Sequence, residues 1–391
     1  MLEKRTYLQT HPWITFDLRV EKFQPRAWML LGEAASKAMH IAGVPLAPEI
    51  AQRFHCVFLA KGALATTAIE GNTLTLDQVE AQVAGTLKLP PSQRYLQQEV
   101  QNIIDTCNWL VKDLASAGPK KITREFCCDL NKRVLQGLEL EDGVKGGEIR
   151  HHSVVVGSVY RGAPPEDCEY LVDAMCEHLQ QNDAPEGIQQ HHAILRALFA
   201  HIYMALIHPF GDGNGRTARI LEYYILLQSG FAQPTGHLLS NHYNKTRAKY
   251  YLELDKISKS GGDTSSFARY ALEGFVDGLV EQIGIIRREH FTVAWENFVH
   301  QKFRGKKSQT DSRRRELVLH LFGESPGHKI SDLTKLSPRL TKEYALKTDK
   351  TLSRDINAVV AMGLVTRLPG RRIRAKTEVI TAFLPWHSEH C

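Results

Sequence analysis

At 391 residues, 43% hydrophobic and 24% charged with a net charge of +6, the chain can bury a sizeable core and divide into two or three domains. No apolar run approaches the roughly 18 residues of a membrane span, and the opening MLEKRTYLQTHPW lacks an apolar export region, so no membrane is expected as a partner. Seven cysteines, an odd number without paired metal-ligand spacing, read as reduced thiols and place the protein in the cytoplasm.

Residues 1–25 read as irregular, and Arg26 to Ala42 as an amphipathic helix ending at Gly43. Pro48 suits the first turn of the next helix, which runs to Glu70 and breaks at Gly71-Asn72. Thr75 and Gln78 offer a capping box for a short helix after it. A loop near residue 90 leads to a long helix from Gln93 to Leu114, and Thr123 caps another through Gln136. The one strong strand signal is Val154, Val155, Val156 and Gly157, where β-branched residues meet a turn; with the residues to Gly162 they predict a small hairpin. Helices follow over Glu166–Gln181 and Gly187–Ile207; His191, His192 and His201 read as helix-face or core residues.

Next comes His208-Pro209-Phe210-Gly211-Asp212-Gly213-Asn214-Gly215-Arg216-Thr217-Ala218-Arg219, poor in packing material and rich in chemistry. With apolar helices on both sides it reads as a loop, Asn214 or Gly215 opening the second helix. The first N–H groups of a helix lack intrahelical partners and its dipole makes that end electropositive, so this is a ready anion site. Glycines at 211, 213 and 215 let the backbone approach a phosphate. Arg216 and Arg219, three apart, could clamp further phosphates, and Asp212 can hold magnesium. His208 is the nearby side chain able to take a proton near neutral pH.

Beyond Gly230, a helix from Lys245 to Ile257 carries Tyr250-Tyr251, and Thr264 to Phe303 forms one or two long helices. Arg304 to Ser308 reads as a linker. Helices over Ser312–Phe322, Ile330–Leu336 and about Leu352–Met362 then precede a basic hairpin, Val365 to Leu368 and Arg371 to Arg374. Residues 301–391 hold 19 Lys+Arg against 9 Asp+Glu, a net of +10 that leaves −4 for the rest. Such a tail suits DNA or an acidic partner as well as it suits a solvated basic surface. Three helices and a basic wing look like a winged helix-turn-helix domain, which can set its third helix in a major groove.

HPFGDGNGRTAR resembles, position for position, the signature HxFx(D/E)GNGRxxR of the Fic family, enzymes that transfer AMP from ATP to protein hydroxyls. The resemblance implies a mainly α chain, a Fic-type helical bundle with a β-hairpin flap, here followed by the winged-helix domain. The resemblance covers roughly residues 60–290, and the expected domains are an N-terminal helical region over 1–90, a catalytic core over 91–303 and, read from the residues themselves, the winged helix over 308–391. His208 would deprotonate the target hydroxyl, Asp212 would hold Mg2+, and Gly213, Asn214 and Gly215 would cradle the ATP phosphates. Arg216 and Arg219 would meet the outer phosphates, with Thr217 and Ala218 inside the same nucleotide-binding stretch. In the related Doc proteins, which are kinases, Lys replaces Gly215.

Thr66-Thr67-Ala68-Ile69-Glu70-Gly71 fits (S/T)xxxE(G/N), the pattern of the family's inhibitory helix, here in the N-terminal, class II position. Glu70 would pair with Arg219 and displace the γ-phosphate; alternatively it is a surface Glu beside a helix end. Val154 to Gly157 would form the flap that grips the target as an added strand, and Tyr250 and Tyr251 would wall the adenine pocket unless they are core. The implied partners are protein hydroxyl targets, including the chain itself, with a homodimer left open. Removal of AMP, another nucleotide or phosphodiester donor, and a DNA-binding regulator stand as alternatives.

Overall fold

The structure is a computed structural model that describes residues 5–156, 160–181, 184, 186–323 and 327–381. Two compact units divide it, Met1–Ile283 and Gly284–Cys391. The division falls inside a helix and not at Arg304–Ser308, because Trp295, Val299 and Phe303 are buried among the C-terminal apolar residues.

The first unit holds helices α1 (Tyr7–Thr10), α2 (Pro25–Gly43), α3 (Pro48–Ala68), α4 (Leu76–Val83), α5 (Arg94–Ala117) and α6 (Arg124–Val134). A short hairpin follows, β1 (Val155–Val156) antiparallel to β2 (Tyr160–Arg161). Then come α7 (Pro165–Gln181), α8 (Gln189–Ile207), α9 (Asn214–Gln228), α10 (Gln233–Gly236), α11 (Leu238–Lys245), α12 (Arg247–Lys259) and α13 (Ser265–Lys302), which continues into the second unit. Prolines open α2 and α3 at the turn whose N–H groups have no partner. Thr75 and Gln78 form the expected capping box on α4.

Helix α8 is apolar around most of its circumference, as a helix enclosed on all sides is expected to be, whereas α9 also buries Asn214, Arg216, Thr217, Arg219 and Glu222; the two pack on each other at the centre. Helices α2 and α7 cover α8; α3, α5 and α6 cover α9. Each fully buried Leu, Ile or Phe there contributes about 1.5–3 kcal/mol. The loop from His208 to Gly213 is thus held between two rigid helix ends. Residues 5–23 are more ordered than their composition suggests: α1 forms, Tyr7 donates its N–H to Asp167 at 2.7 Å, and His11 bonds the Arg161 carbonyl on β2.

The second unit continues with α14 (Gln309–His320), β3 (His328–Lys329), α15 (Pro338–Tyr344), α16 (Asp349–Ala361), β4 (Val365–Leu368) and β5 (Arg372–Ala375). The sheet order is β3-β5-β4, all antiparallel, so the expected two-stranded wing gains a third strand. A two-residue strand is too short to show alternation in the sequence. The predicted helix over Ile330–Leu336 is a 3-10 segment over Ile330–Lys335, with α15 added after it. On α16, Asp355 is 1% exposed and turned inward to Arg313, Arg314 and the Tyr344 hydroxyl.

Candidate active site

The chain enters the site through a strained residue. His208 follows the last turn of α8 with φ 53°, left-handed and uncommon for a side chain with a Cβ. Buried Arg150 holds that geometry by donating to three carbonyls: His208 at 2.7 Å, His152 at 2.6 Å and Ala163 at 2.5 Å. Backbone bonds from Arg150 to Pro209 and from Ala163 to Ile207 add to the tie. The hairpin is anchored nearby, where the Tyr160 hydroxyl donates to the Leu206 carbonyl at 2.7 Å.

The His208 Nδ1 lies 3.3 Å from the Ala205 carbonyl, which can only accept, so Nδ1 carries the proton and Nε2 keeps its lone pair. Burial, with the Arg150 charge close by, pushes this imidazole down to about 4 despite the carbonyl bond. At neutral pH it is therefore an uncharged base.

Gly213, at φ 75°, turns the chain into α9 where a Cβ would press on Asn131 and Leu135 at 3.0 Å. The first helical bond on α9 is Thr217 N–H to the Gly213 carbonyl, so the N–H groups of 214 to 216 precede any i−4 acceptor in the helix. Directly over this end sits the Glu70 carboxylate. Its Oε1 accepts from Arg219 Nη2 at 2.5 Å, and a Cβ on Gly215 would lie 2.3 Å from the same oxygen. Arg219 Nη2 also donates to the Thr66 carbonyl at 3.0 Å, so α3 and the turn after it both engage this guanidinium. Burial alone would raise the Glu70 carboxyl, but Arg219, and more weakly Arg216, hold it below the ordinary carboxylate range. Arg219 Nε and Nη1 are buried without a hydrogen-bond acceptor, and Nη1 lies 3.1 Å from where a Gly215 Cβ would stand. A polarised helix end, a bare glycine and unspent guanidinium donors together suit phosphate oxygens.

Residues 121–226 match the family described as Fic/DOC. The chain carries a Fic domain. It is 33% identical over 222 residues to protein adenylyltransferase fic-1 of Caenorhabditis briggsae, covering 57% of this chain and 41% of that one. The fic-1 protein of Caenorhabditis elegans is 31% identical over 223 residues, with the same coverage of both chains. The chain thus spans about two fifths of the length of these relatives. Among solved structures, Fic-1 from Caenorhabditis elegans aligns at a TM-score of 0.53 and 26% identity, over 67% of this chain and 73% of that one. A Fic family protein from Desulfovibrio desulfuricans shares the fold at a TM-score of 0.55 and 19% identity, over 90% of this chain and 97% of that one.

Within the Fic domain, His208, Gly213, Gly215 and Arg219 converge with Glu70, while other expected residues are placed differently. Arg216 does not share its task with Arg219: it grips Asp212 at 3.0 and 3.1 Å and Glu99 at 3.4 Å. Asp212 also accepts from the Gly213 N–H at 2.5 Å, and its side chain stays 49% exposed. The Asn214 amide is spent on the Phe210 backbone, bonding its N–H at 2.9 Å and its carbonyl at 2.8 Å, so it shapes the Fic loop from beneath. Thr217 and Ala218 are fully buried, and the Thr217 hydroxyl accepts from the Asn131 amide at 3.1 Å. Tyr250 is buried: its hydroxyl bonds buried His201 at 3.0 Å, beside buried Glu222 and Tyr243, with its ring 5.2 Å from that of Tyr251. Tyr251 is 39% exposed and donates to the Ile69 carbonyl at 3.2 Å, next to Glu70. Val155 is exposed on the hairpin, Val154 lies just before the strand with its carbonyl on Gly162 N–H, and Gly157 lies outside the described residues.

Three residues of the Fic site escaped the sequence reading. Arg150 gives no local signal. Asn131 does: it falls on the apolar stripe of α6 with Cys127, Leu130 and Val134. Fully buried, it donates to the Asp212 carbonyl and the Thr217 hydroxyl and accepts from Gly147. Glu99 is the third.

Proposed function

We propose that this chain transfers AMP from ATP to a Ser, Thr or Tyr hydroxyl of a protein, itself included, and that Glu70 restrains the reaction. One observation carries the reading: a carboxylate of the chain itself sits on Arg219 over the α9 N-terminus, where an anion belongs. In productive binding the ATP phosphates would take that seat, using the N–H groups at the start of α9 and the unspent donors of Arg219. His208 Nε2 would accept the proton of the incoming hydroxyl, whose oxygen bonds the α-phosphorus as the bond to the pyrophosphate oxygen breaks. The fic-1 relatives, named protein adenylyltransferases, support the same chemistry.

Asp212 is a half-exposed carboxylate beside the cradle, a donor that fits magnesium, which commonly takes one or two carboxylates plus phosphate oxygens. When bound, the ion would neutralise phosphate charge. The exposed hairpin strand at Val155 would hold the target segment by added-strand pairing.

Incubating wild-type, Glu70→Gly and His208→Ala proteins with labelled ATP and Mg2+ tests the reading. Label should appear in the Glu70→Gly protein and vanish with His208→Ala. Release of AMP from an already modified protein, with no transfer, would instead favour the reverse reaction on the same groups.

The second unit supports a separate binding role. Its helix–strand–helix–helix–strand–strand order and basic hairpin support reading it as a winged helix, and we propose that it makes a duplex-DNA or protein contact. Arg374 is already paired with Glu378, which leaves Arg371 and Arg372 as the wing's contribution. Neutralising both should weaken salt-dependent duplex binding while His208→Ala leaves it intact; unchanged affinity removes DNA. No helix among the described residues is long and apolar enough to cross a membrane. The six described cysteines are free, which supports a reducing compartment.

A further inference from the structure

Glu70 is not the sole link between its turn and the motif. Two residues on, Asn72 is 7% exposed and fully engaged. Its amide donates to the Leu96 carbonyl at 2.9 Å and to Glu99 Oε2 at 2.8 Å, and its oxygen accepts the Leu74 N–H at 3.0 Å. Its own N–H returns to the Thr67 carbonyl, which closes the turn around Glu70. The other oxygen of Glu99 lies 3.4 Å from Arg216 Nη1, on the guanidinium that also holds Asp212. A single carboxylate on α5 therefore touches both the turn that bears Glu70 and Arg216 in the first turn of α9.

We propose that Glu99 and Asn72 are positioning residues that seat Glu70 over the α9 N-terminus and couple that seat to Arg216. The inference rests on AMP transfer restrained by Glu70, and it deepens the regulation of that site. The coupling is that of a shared anchor. A carboxylate bonded on one side to a buried guanidinium and on the other to an amide is fixed in place by both contacts. When triphosphate approaches Arg216, the guanidinium turns its donors to phosphate and Glu99 loses the partner that fixes its side chain. Freed on that side, the carboxylate no longer holds Asn72 in one place, and the turn that carries Glu70 loosens as the competing anion arrives. The two contacts with the motif, Glu70 on Arg219 and Glu99 on Arg216, should release as one.

The test compares automodification and ATP affinity for Asn72→Asp, Asn72→Ala and Glu99→Ala, in the wild-type background and with Glu70→Gly. Asn72→Asp is nearly isosteric but cannot donate and sets a carboxylate against Glu99; it should raise basal modification most. Asn72→Ala and Glu99→Ala should each raise it about tenfold, the scale of one hydrogen bond to a charged partner. Each variant should tighten ATP binding by a similar factor, since an internal competitor has been weakened. Added to Glu70→Gly, the Asn72 changes should do nothing further, because the restraint they seat is gone. Combining Asn72→Asp with Glu99→Gln restores a donor–acceptor pair across the contact and should reverse much of the release. A merely structural role would lower the melting temperature and activity in both backgrounds, with no rescue, and would overturn the proposal. So would unchanged basal modification by Asn72→Asp while Glu70→Gly is active. A silent Glu70→Gly protein would instead defeat the transfer reading, and the anchor's regulatory meaning with it.

Discussion

The Glu70 carboxylate and the Arg219 guanidinium lie 2.5 Å apart at the N-terminus of α9, though 149 residues separate them in the chain. The arginine is 1% exposed and the glutamate 33%, so the pair is dry on one side and reachable from the other. A buried arginine with two unsatisfied nitrogens is held by a carboxylate it could exchange for phosphate. A charge-assisted bond of this kind contributes about 1.5–3 kcal/mol. Replacing Glu70 by Gly should therefore raise transfer about ten- to a hundredfold, measured as initial rate with labelled ATP. Glu70→Gln, which keeps the shape without the charge, should fall between the two.

The shift on Glu70 sets how this restraint responds to acid. Its folded pKa lies below the ordinary value, so the charged contact is present at neutral pH and is lost only as pH falls through that depressed value. Mild acidification to about pH 5.5 should leave the wild-type protein restrained. Basal modification that climbs between pH 7 and 5.5 would argue against the pairing.

His208 makes a second pH statement. With its pKa pushed down to about 4 by burial, the imidazole stays neutral well below the ordinary 6.5. The acid limb of kcat/KM for Glu70→Gly should lie well below pH 6, as kcat/KM reports the free enzyme. Removing Glu70 deletes a charge that raises this pKa and moves the limb lower still. An acid limb at pH 6.5 would mean that a solvent-exposed histidine supplies the base.

The motif was legible because its chemistry is local: HPFGDGNGRTAR lies on consecutive residues between two apolar helices. The Glu70–Arg219 pair was expected from the family pattern, but the residues alone did not show that Arg216 would choose other partners. Arg216 and Arg219 sit three apart on one helix, yet one turns to Asp212 and Glu99 and the other to Glu70, choices made by α3 and α5. Tyr250 and Tyr251 show the same limit, one buried with His201 and one on the surface beside Ile69. Arg150 is invisible for a related reason: its acceptors are backbone carbonyls, which every sequence has.

Arg150 offers a stability prediction tied to function. Arg150→Met keeps much of the volume but leaves carbonyls at His208, His152 and Ala163 without their donor, at a cost of about 3 kcal/mol or more. Denaturant unfolding should show that loss. Transfer by a Glu70→Gly protein carrying the change should fall further than unfolding explains, because the left-handed His208 loses its brace.

Asp355 makes the corresponding case in the second unit. It fell on the apolar stripe of its helix with Leu352, Ile356 and Val359, and it proves to be the buried counter-charge of Arg313 and Arg314. Asp355→Ala strands a buried guanidinium and should cost about 3–5 kcal/mol, seen as an earlier unfolding transition. A variant as stable as wild type would show that Arg313 finds water instead.

The most direct test of the central claim is intact-protein and peptide mass spectrometry of Glu70→Gly, with and without His208→Ala, after incubation with ATP and Mg2+. The account predicts added mass equal to AMP on a hydroxyl-bearing peptide of the first protein and none on the second. An unmodified Glu70→Gly protein, a phosphate-sized addition, or AMP transfer that survives the loss of His208 would contradict it.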